Sequence, residues 1–266
     1  ERGLAAKTIN ERLVKVRSVF RVAAGRHVVS ENPAANTLGV REATAEKRRK
    51  RRFPFNPSDL QTFFGSPVFT KHERSMGQLG EATYWVPVLM LYTGARPEEV
   101  AGLALSDIIE VPGVGWAIRF VDHYGDETDD VPATHRRTLK NAPSRRMVPI
   151  AQQVLDLGLL RYVAVLRSRG ETMLFPSLRR DCHGKLFGSG GKFFARYIRA
   201  VGISDPRVVL YSLRHSAKDL FEAAAIPSKY LKRLMGHASG DGAVTDGYGS
   251  DVPFEILAGE FRSEEH

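Results

Sequence analysis

A single cysteine, Cys182, stands among 266 residues. That excludes a disulfide framework and a paired-cysteine zinc module, and it fits a reducing compartment. No apolar run approaches the roughly 20 residues that a membrane span requires. We therefore expect a soluble, cytoplasmic protein with no membrane partner. An initiator methionine and a signal-peptide pattern are absent ahead of Glu1, and the N-terminus is expected to be a cut. A nucleotide-binding P-loop is also lacking. Gly191-Lys192 would need glycine at 186 and serine or threonine at 193, where Leu186 and Phe193 stand. Dense carboxylates occur only at Asp126, Glu127, Asp129 and Asp130, inside a polar insertion that reads as a loop, and Cys182-His183 is too small a set for zinc. No metal site is expected.

What the chain does have is positive charge. Thirty-nine Lys and Arg against 30 Asp and Glu give +9 and a pI near 9.8, which implies a polyanionic partner. With 42% apolar residues it can fill one medium-sized core and a smaller piece besides. Residues 7–24 carry Ile9, Leu13, Val16, Val19, Phe20 and Ala23 at helical spacing, with Thr8 and Glu11 placed as a capping box. One helix followed by Glu31-Asn32-Pro33 is too little to fold alone, so residues 1–45 read as the end of a larger helical domain. Then comes Lys47-Arg48-Arg49-Lys50-Arg51-Arg52, six consecutive cations. They form a solvated linker at 46–52, a tether along phosphates, or both.

From residue 53 to 266 the pattern is mainly α with a small antiparallel β-sheet, an α+β class. Helices are expected at 57–64, 80–93, 97–105, 151–168, 190–201, 212–224 and 227–236, and strands at 116–122 and 145–150. Four constellations carry chemistry. In Thr93-Gly94-Ala95-Arg96-Pro97-Glu98-Glu99, Gly94 ends one helix and Pro97 opens the next, which sets Arg96 at an anion-favouring helix start. The bland alternative is a surface charge paired with Glu99. In Tyr211-Ser212-Leu213-Arg214-His215, Tyr211 and Arg214 sit together beside a face of Leu213, Ala217, Leu220, Phe221 and Ala224 that is expected to be buried. His237 follows Gly236 at a helix end, a position more often structural than catalytic. Tyr248, between Gly247 and Gly249, lies where apolar anchors are few.

With TLKNAPSRRMVPI between them, these motifs in this order resemble the tyrosine recombinase (phage integrase) family from about residue 53 onward, and the 7–34 segment resembles the end of its core-binding domain. The resemblance implies the recombinase catalytic-domain fold. It makes Arg96 and Arg214 the catalytic arginines, with Glu99 supporting the first. It makes Lys140 the hairpin lysine, His237 the third-box histidine and Tyr248 the nucleophile. Tyr211 holds the place that a histidine usually takes, and His215 follows Arg214 as in many members. The His237–Tyr248 spacing is about two residues longer than the commonest pattern. The implied partners are double-stranded DNA carrying recombination sites, further copies of the chain in a tetramer, and accessory DNA-bending or directionality factors. A nucleoid-associated protein of bacterial or phage origin is implied with them.

The chemistry accounts for the residue types. A phenol oxygen attacking a phosphodiester builds charge on nonbridging oxygens that two guanidiniums can grip without deprotonating. An ammonium can donate the leaving 5′-oxygen its proton. Tyr211, a phenol with an ordinary pKa near 10, is a poor base at neutral pH. A 3′-phosphotyrosyl link conserves the bond energy, so neither metal nor ATP is expected as a cofactor. The alternatives are a catalytically weakened DNA-binding member of the same fold and a type IB topoisomerase-like enzyme. Phe254, Leu257 and Phe261 recur at helical spacing in the tail, which packs on its own domain or docks on a neighbouring protomer.

Overall fold

The computed structural model describes residues 3–41, 52–74, 79–123, 131–132, 136–137, 139 and 144–236. Contacts divide the chain into two compact units, Glu1–Arg51 and Arg52–His266.

The first unit is built on α1 (Ala6–Gly25). The expected capping box is not used. The helix starts further upstream, at Ala6, a residue type that favours helix. Ala5 is the N-cap with no side-chain cap bond, which leaves Thr8 inside the helix, and Glu11 pairs with Lys7 at 3.7 Å. No residue of α1 is buried. Polar clamps hold the following segment instead. The Asn10 side-chain amide donates to the Val40 carbonyl at 2.8 Å, and its oxygen accepts the Val40 N–H at 2.8 Å. Arg17 donates to the carbonyls of Ala34 and Thr37.

The second unit is helical with one small sheet. Its elements run α2 (Pro57–Phe64), α3 (Pro67–Thr70), α4 (Ala82–Thr93), α5 (Pro97–Ala101), a 3₁₀ turn (Leu105–Asp107), β1 (Ile108–Val111), β2 (Gly115–Phe120) and β3 (Arg146–Pro149). Then follow α6 (Gln152–Asp156), α7 (Leu159–Ser168), α8 (Gly188–Ala200), α9 (Ser212–Ala223) and α10 (Ser228–Leu234). The sheet is antiparallel in the order β1-β2-β3, with Ile118 opposite both Ile108 and Val148, and Phe120 opposite Arg146.

Helix α4 is apolar all round and buried from Ala82 to Met90, as a helix at the centre of a core must be. Helix α9 packs along it, and α10 packs on β3. Phe63 is fully buried among Phe55, Phe69 and Phe194, with ring centroids 5.1–5.9 Å apart, and this locks α2 to α8. The entry segment is stapled to α9. Ser216 Oγ accepts the Phe55 N–H at 2.8 Å, and the Arg207 guanidinium lies 3.9 Å from the Phe53 ring centroid.

Several elements differ from the sequence expectation. The 97–105 helix stops at Ala101, and the chain turns through 3₁₀ geometry into a strand, β1, that the sequence reading missed. The 151–168 helix is two helices, because Gly158 takes a left-handed conformation (φ 93°) between them. Leu220, expected in the buried face of α9, is 47% exposed, while Leu213, Ala217 and Phe221 are buried. The insertion read as a polar loop sends His123, Val131, Arg137 and Leu139 into the interior.

Candidate active site

The site grows from the turn between α4 and α5. Gly94 ends α4 at φ 61°, a left-handed conformation that glycine adopts without strain. A side chain there would run into Met235 Sδ, so the turn and the end of α10 are in contact. Arg96 then stands as the extended N-cap of α5, with Pro97 in the first turn.

Glu99, 5% exposed, is the hub. Its Oε2 accepts the Arg96 N–H at 2.9 Å and Arg146 Nη2 at 2.9 Å, while its Oε1 accepts Arg96 Nη1 at 2.5 Å. Arg96 Nη1 also reaches Ser144 Oγ at 3.2 Å. Burial pushes the Glu99 carboxyl up, but the Arg146 charge and the hydrogen bonds from Arg96 and Arg146 outweigh it, and the group titrates below its ordinary value. Glu98, its neighbour, faces elsewhere. It accepts the N–H groups of Leu186 and Phe187 at 3.0 and 2.9 Å and so ties α5 to the start of α8.

Arg214 is 2% exposed. It donates to the carbonyls of Gly94 and Met235, tying α9 to both the α4–α5 turn and the end of α10. Burial, then the nearby Arg96 charge, pulls its guanidinium down to about 10, still fully protonated at neutral pH. Tyr211, at the head of the same helix, is 38% exposed and meets the His215 ring edge-on with centroids 5.7 Å apart. Arg96, Glu99 and Arg214 therefore belong to one cluster, with Tyr211 exposed at its edge and near enough to act on the Arg214 charge, and His215 half-buried beside Tyr211. Arg52, the last cation of the basic run, is exposed. Lys140, His237, Tyr248, residues 47–51, the carboxylates at 126–130 and the tail from 252 lie outside the described residues.

Two arginines that sequence reasoning passed over are among the most buried groups here. Arg146 donates to Glu99, to the Leu234 carbonyl at 2.7 Å and to the Ser144 carbonyl at 2.8 Å, and it sits 4.3 Å from the Phe120 ring centroid. Strand alternation contained the signal, since Arg146 shares a face with Val148, which is fully buried. Arg137 donates to the carbonyls of Glu99 and Gly102, each at 3.1 Å, and to Asp107 Oδ2 at 3.2 Å. His123 completes that second cluster. Its Nδ1 accepts the Arg137 N–H at 3.2 Å, so its Nε2 carries the proton toward Asp107, also at 3.2 Å. Burial pulls both guanidiniums down, against the upward pull of Glu99 on Arg146 and of Asp107 on Arg137.

A cavity of about 180 Å³ opens at the cluster, with Arg96, Arg137, Arg180, Glu98 and Glu99 in its wall. Three guanidiniums, those of Arg96, Arg146 and Arg214, share one nearby carboxylate. The excess is cationic, and an anion is what it can hold. Among the described residues no group of three or more His, Cys, Asp or Glu is placed to hold a metal ion, and no helix is long and apolar enough to cross a membrane.

This architecture recurs in solved structures. A structure of the Tn1549 transposon integrase in complex with transposon right end DNA is 20% identical, covers 89% of this chain and 73% of that one, and superposes with a TM-score of 0.54. A lambda integrase dimer bound to a COC′ core site is 16% identical, covers 97% of this chain and 80% of that one, with a TM-score of 0.52. The fold is that of the tyrosine recombinase catalytic domains. No family model matches the sequence, and no curated protein matches it.

Proposed function

We propose that the chain is a site-specific DNA recombinase that cuts and rejoins duplex DNA through a 3′-phosphotyrosyl intermediate, without metal or ATP. The observation that carries this reading is the cationic excess at Arg96, Arg146 and Arg214 around Glu99, set in a recombinase fold. Arg96 and Arg214 grip the nonbridging oxygens of the scissile phosphate. Tyr248 Oη bonds to phosphorus as the bond to the 5′-oxygen breaks. The phenol proton is released, and Lys140 supplies the proton that the leaving oxygen takes up. His237 holds a nonbridging oxygen. Tyr211, at the place usually held by histidine, donates a hydrogen bond rather than accepting a proton. A second 5′-hydroxyl then reverses the step on the partner strand.

Under this reading the 1–45 segment is the end of a DNA-clamping domain and the basic run lies along phosphates. Neutralising Lys47 to Arg52 is then expected to flatten the slope of log affinity against log salt, and an unchanged slope makes the run a plain linker. Four copies act on two sites, which the mass of the protein–DNA complex measures. The tail from 252 docks on a neighbouring protomer; its deletion lowers binding cooperativity, and unchanged cooperativity rejects that docking.

The test of the reading uses nicked suicide duplexes made from candidate recombination sites, with EDTA present. Wild type is expected to form a denaturation-resistant protein–DNA adduct and Tyr248→Phe none. Tight, specific binding without an adduct favours a DNA-binding member of the fold that has lost catalysis.

A further inference from the structure

We infer that Arg146 is a positioning residue: it holds Glu99 and the last turn of α10 in one place, and through them fixes how Arg96 and Arg214 present their guanidiniums. The inference rests on the phosphoryl-transfer reading above. A guanidinium has five N–H groups in one rigid plane. Arg146 directs them at three acceptors from three separate parts of the fold. These are Glu99 Oε2 on α5 at 2.9 Å, the Leu234 carbonyl at the end of α10 at 2.7 Å, and the Ser144 carbonyl just before β3 at 2.8 Å.

Each acceptor leads, directly or through the next residue, to a proposed phosphate-gripping group. Glu99 takes both the backbone N–H and Nη1 of Arg96, so the position of this carboxylate sets the plane of the Arg96 guanidinium. Leu234 precedes Met235, whose carbonyl accepts from Arg214. The hydroxyl of Ser144 accepts from Arg96. Arg146 therefore touches a partner of Arg96 and the residue next to a partner of Arg214, and leaves the scissile phosphate to them. Its face is closed by the Phe120 ring, and burial keeps water from replacing its bonds.

Charge and geometry separate in the variants. Arg146→Lys retains a cation beside Glu99 but offers a point charge that cannot serve three divergent acceptors at once. Arg146→Met keeps the length and removes the charge. The first readout does not depend on DNA cleavage. The Glu99 carboxyl is followed by carbon-13 NMR of carboxyl-labelled glutamate and assigned with Glu99→Gln. It is expected to titrate below the ordinary range in wild type and Arg146→Lys, and to move upward in Arg146→Met.

The second readout is single-turnover adduct formation at a temperature where melting curves show every variant folded. Arg146→Met is expected to slow it by about 10²-fold, the scale of a small misplacement of a catalytic group, with duplex affinity little changed and the acid limb of the pH–rate profile moved to higher pH. Arg146→Lys is expected to slow it less and to leave that limb in place. In a Glu99→Gln background the additional loss from Arg146→Met is expected to shrink to about threefold or less, as coupled neighbours require.

An unmoved Glu99 titration in Arg146→Met overturns the inference whether or not the wild type cleaves DNA. So does an equal rate loss in both backgrounds, which would mark a purely structural arginine. A wild type that forms no adduct, with the Glu99 shift intact, overturns the recombinase reading while supporting the hold of Arg146 on Glu99.

Discussion

Two buried ion clusters stand a few residues apart in this chain and are built to opposite ends. Around Asp107, one carboxylate oxygen accepts from Arg137, from the protonated nitrogen of His123 and from the Ala104 N–H, so one negative charge meets one positive charge and two neutral donors. Around Glu99, one carboxylate faces Arg96 and Arg146, with Arg214 adding a third cation nearby. The first cluster is balanced in charge, although its Arg137 also lines the cavity beside Glu99. The second has cations to spare, and Arg96 keeps 22% of its side chain open to solvent. Burying unbalanced charge costs stability, so a fold that retains the imbalance has a place for an anion. The balanced cluster ties the insertion after β2 to the 3₁₀ turn.

If this contrast holds, the two clusters fail in different ways. The largest effect is expected on stability at the balanced one. Arg137→Met leaves Asp107 without its cation and removes the donor that the carbonyls of Glu99 and Gly102 share, and the midpoint of urea unfolding should report a loss of about 3–5 kcal/mol. Arg96→Ala removes a donor from the unbalanced cluster and leaves Glu99 paired with Arg146. Its cost should fall on chemistry, about 10²–10³ in the rate of adduct formation, with a small change in melting temperature. A loss of stability as large as that of Arg137→Met would erase the distinction.

The smallest effect is a pH dependence. The Glu99 carboxyl is held below its ordinary value of 4.5 in the folded chain. Its contribution to stability is therefore fully present above about pH 4.5 and is lost as the pH falls through the lower native value. Acid unfolding of Glu99→Gln should lack that component, measured as a shallower fall in stability below pH 4.5.

Much of this was legible in the sequence because the signals were local. Proline, glycine and glutamate around Arg96 fix a helix end, a helix start and an ion pair within six residues, and the structure contains all of them. The period of α9 places Leu213 and Ala217 in the core and Arg214 beside it. What escaped was set by contacts far apart in the chain. Arg137 is buried because the carbonyls of Glu99 and Gly102 need donors, and no local pattern around residue 137 announces that. Arg146 lies between these cases: the alternation of β3 pointed it inward, and only the fold supplies Glu99 and Leu234 as its partners.

The contrast between the clusters comes down to one measurement: single-turnover formation of the covalent adduct, in EDTA, by wild type, Arg96→Ala and His123→Gln, at a temperature where all three are folded. The account predicts that His123→Gln, which loosens only the balanced cluster, keeps a rate close to wild type, while Arg96→Ala falls by about 10²–10³. Equal losses in the two variants, or an undiminished Arg96→Ala, would contradict it.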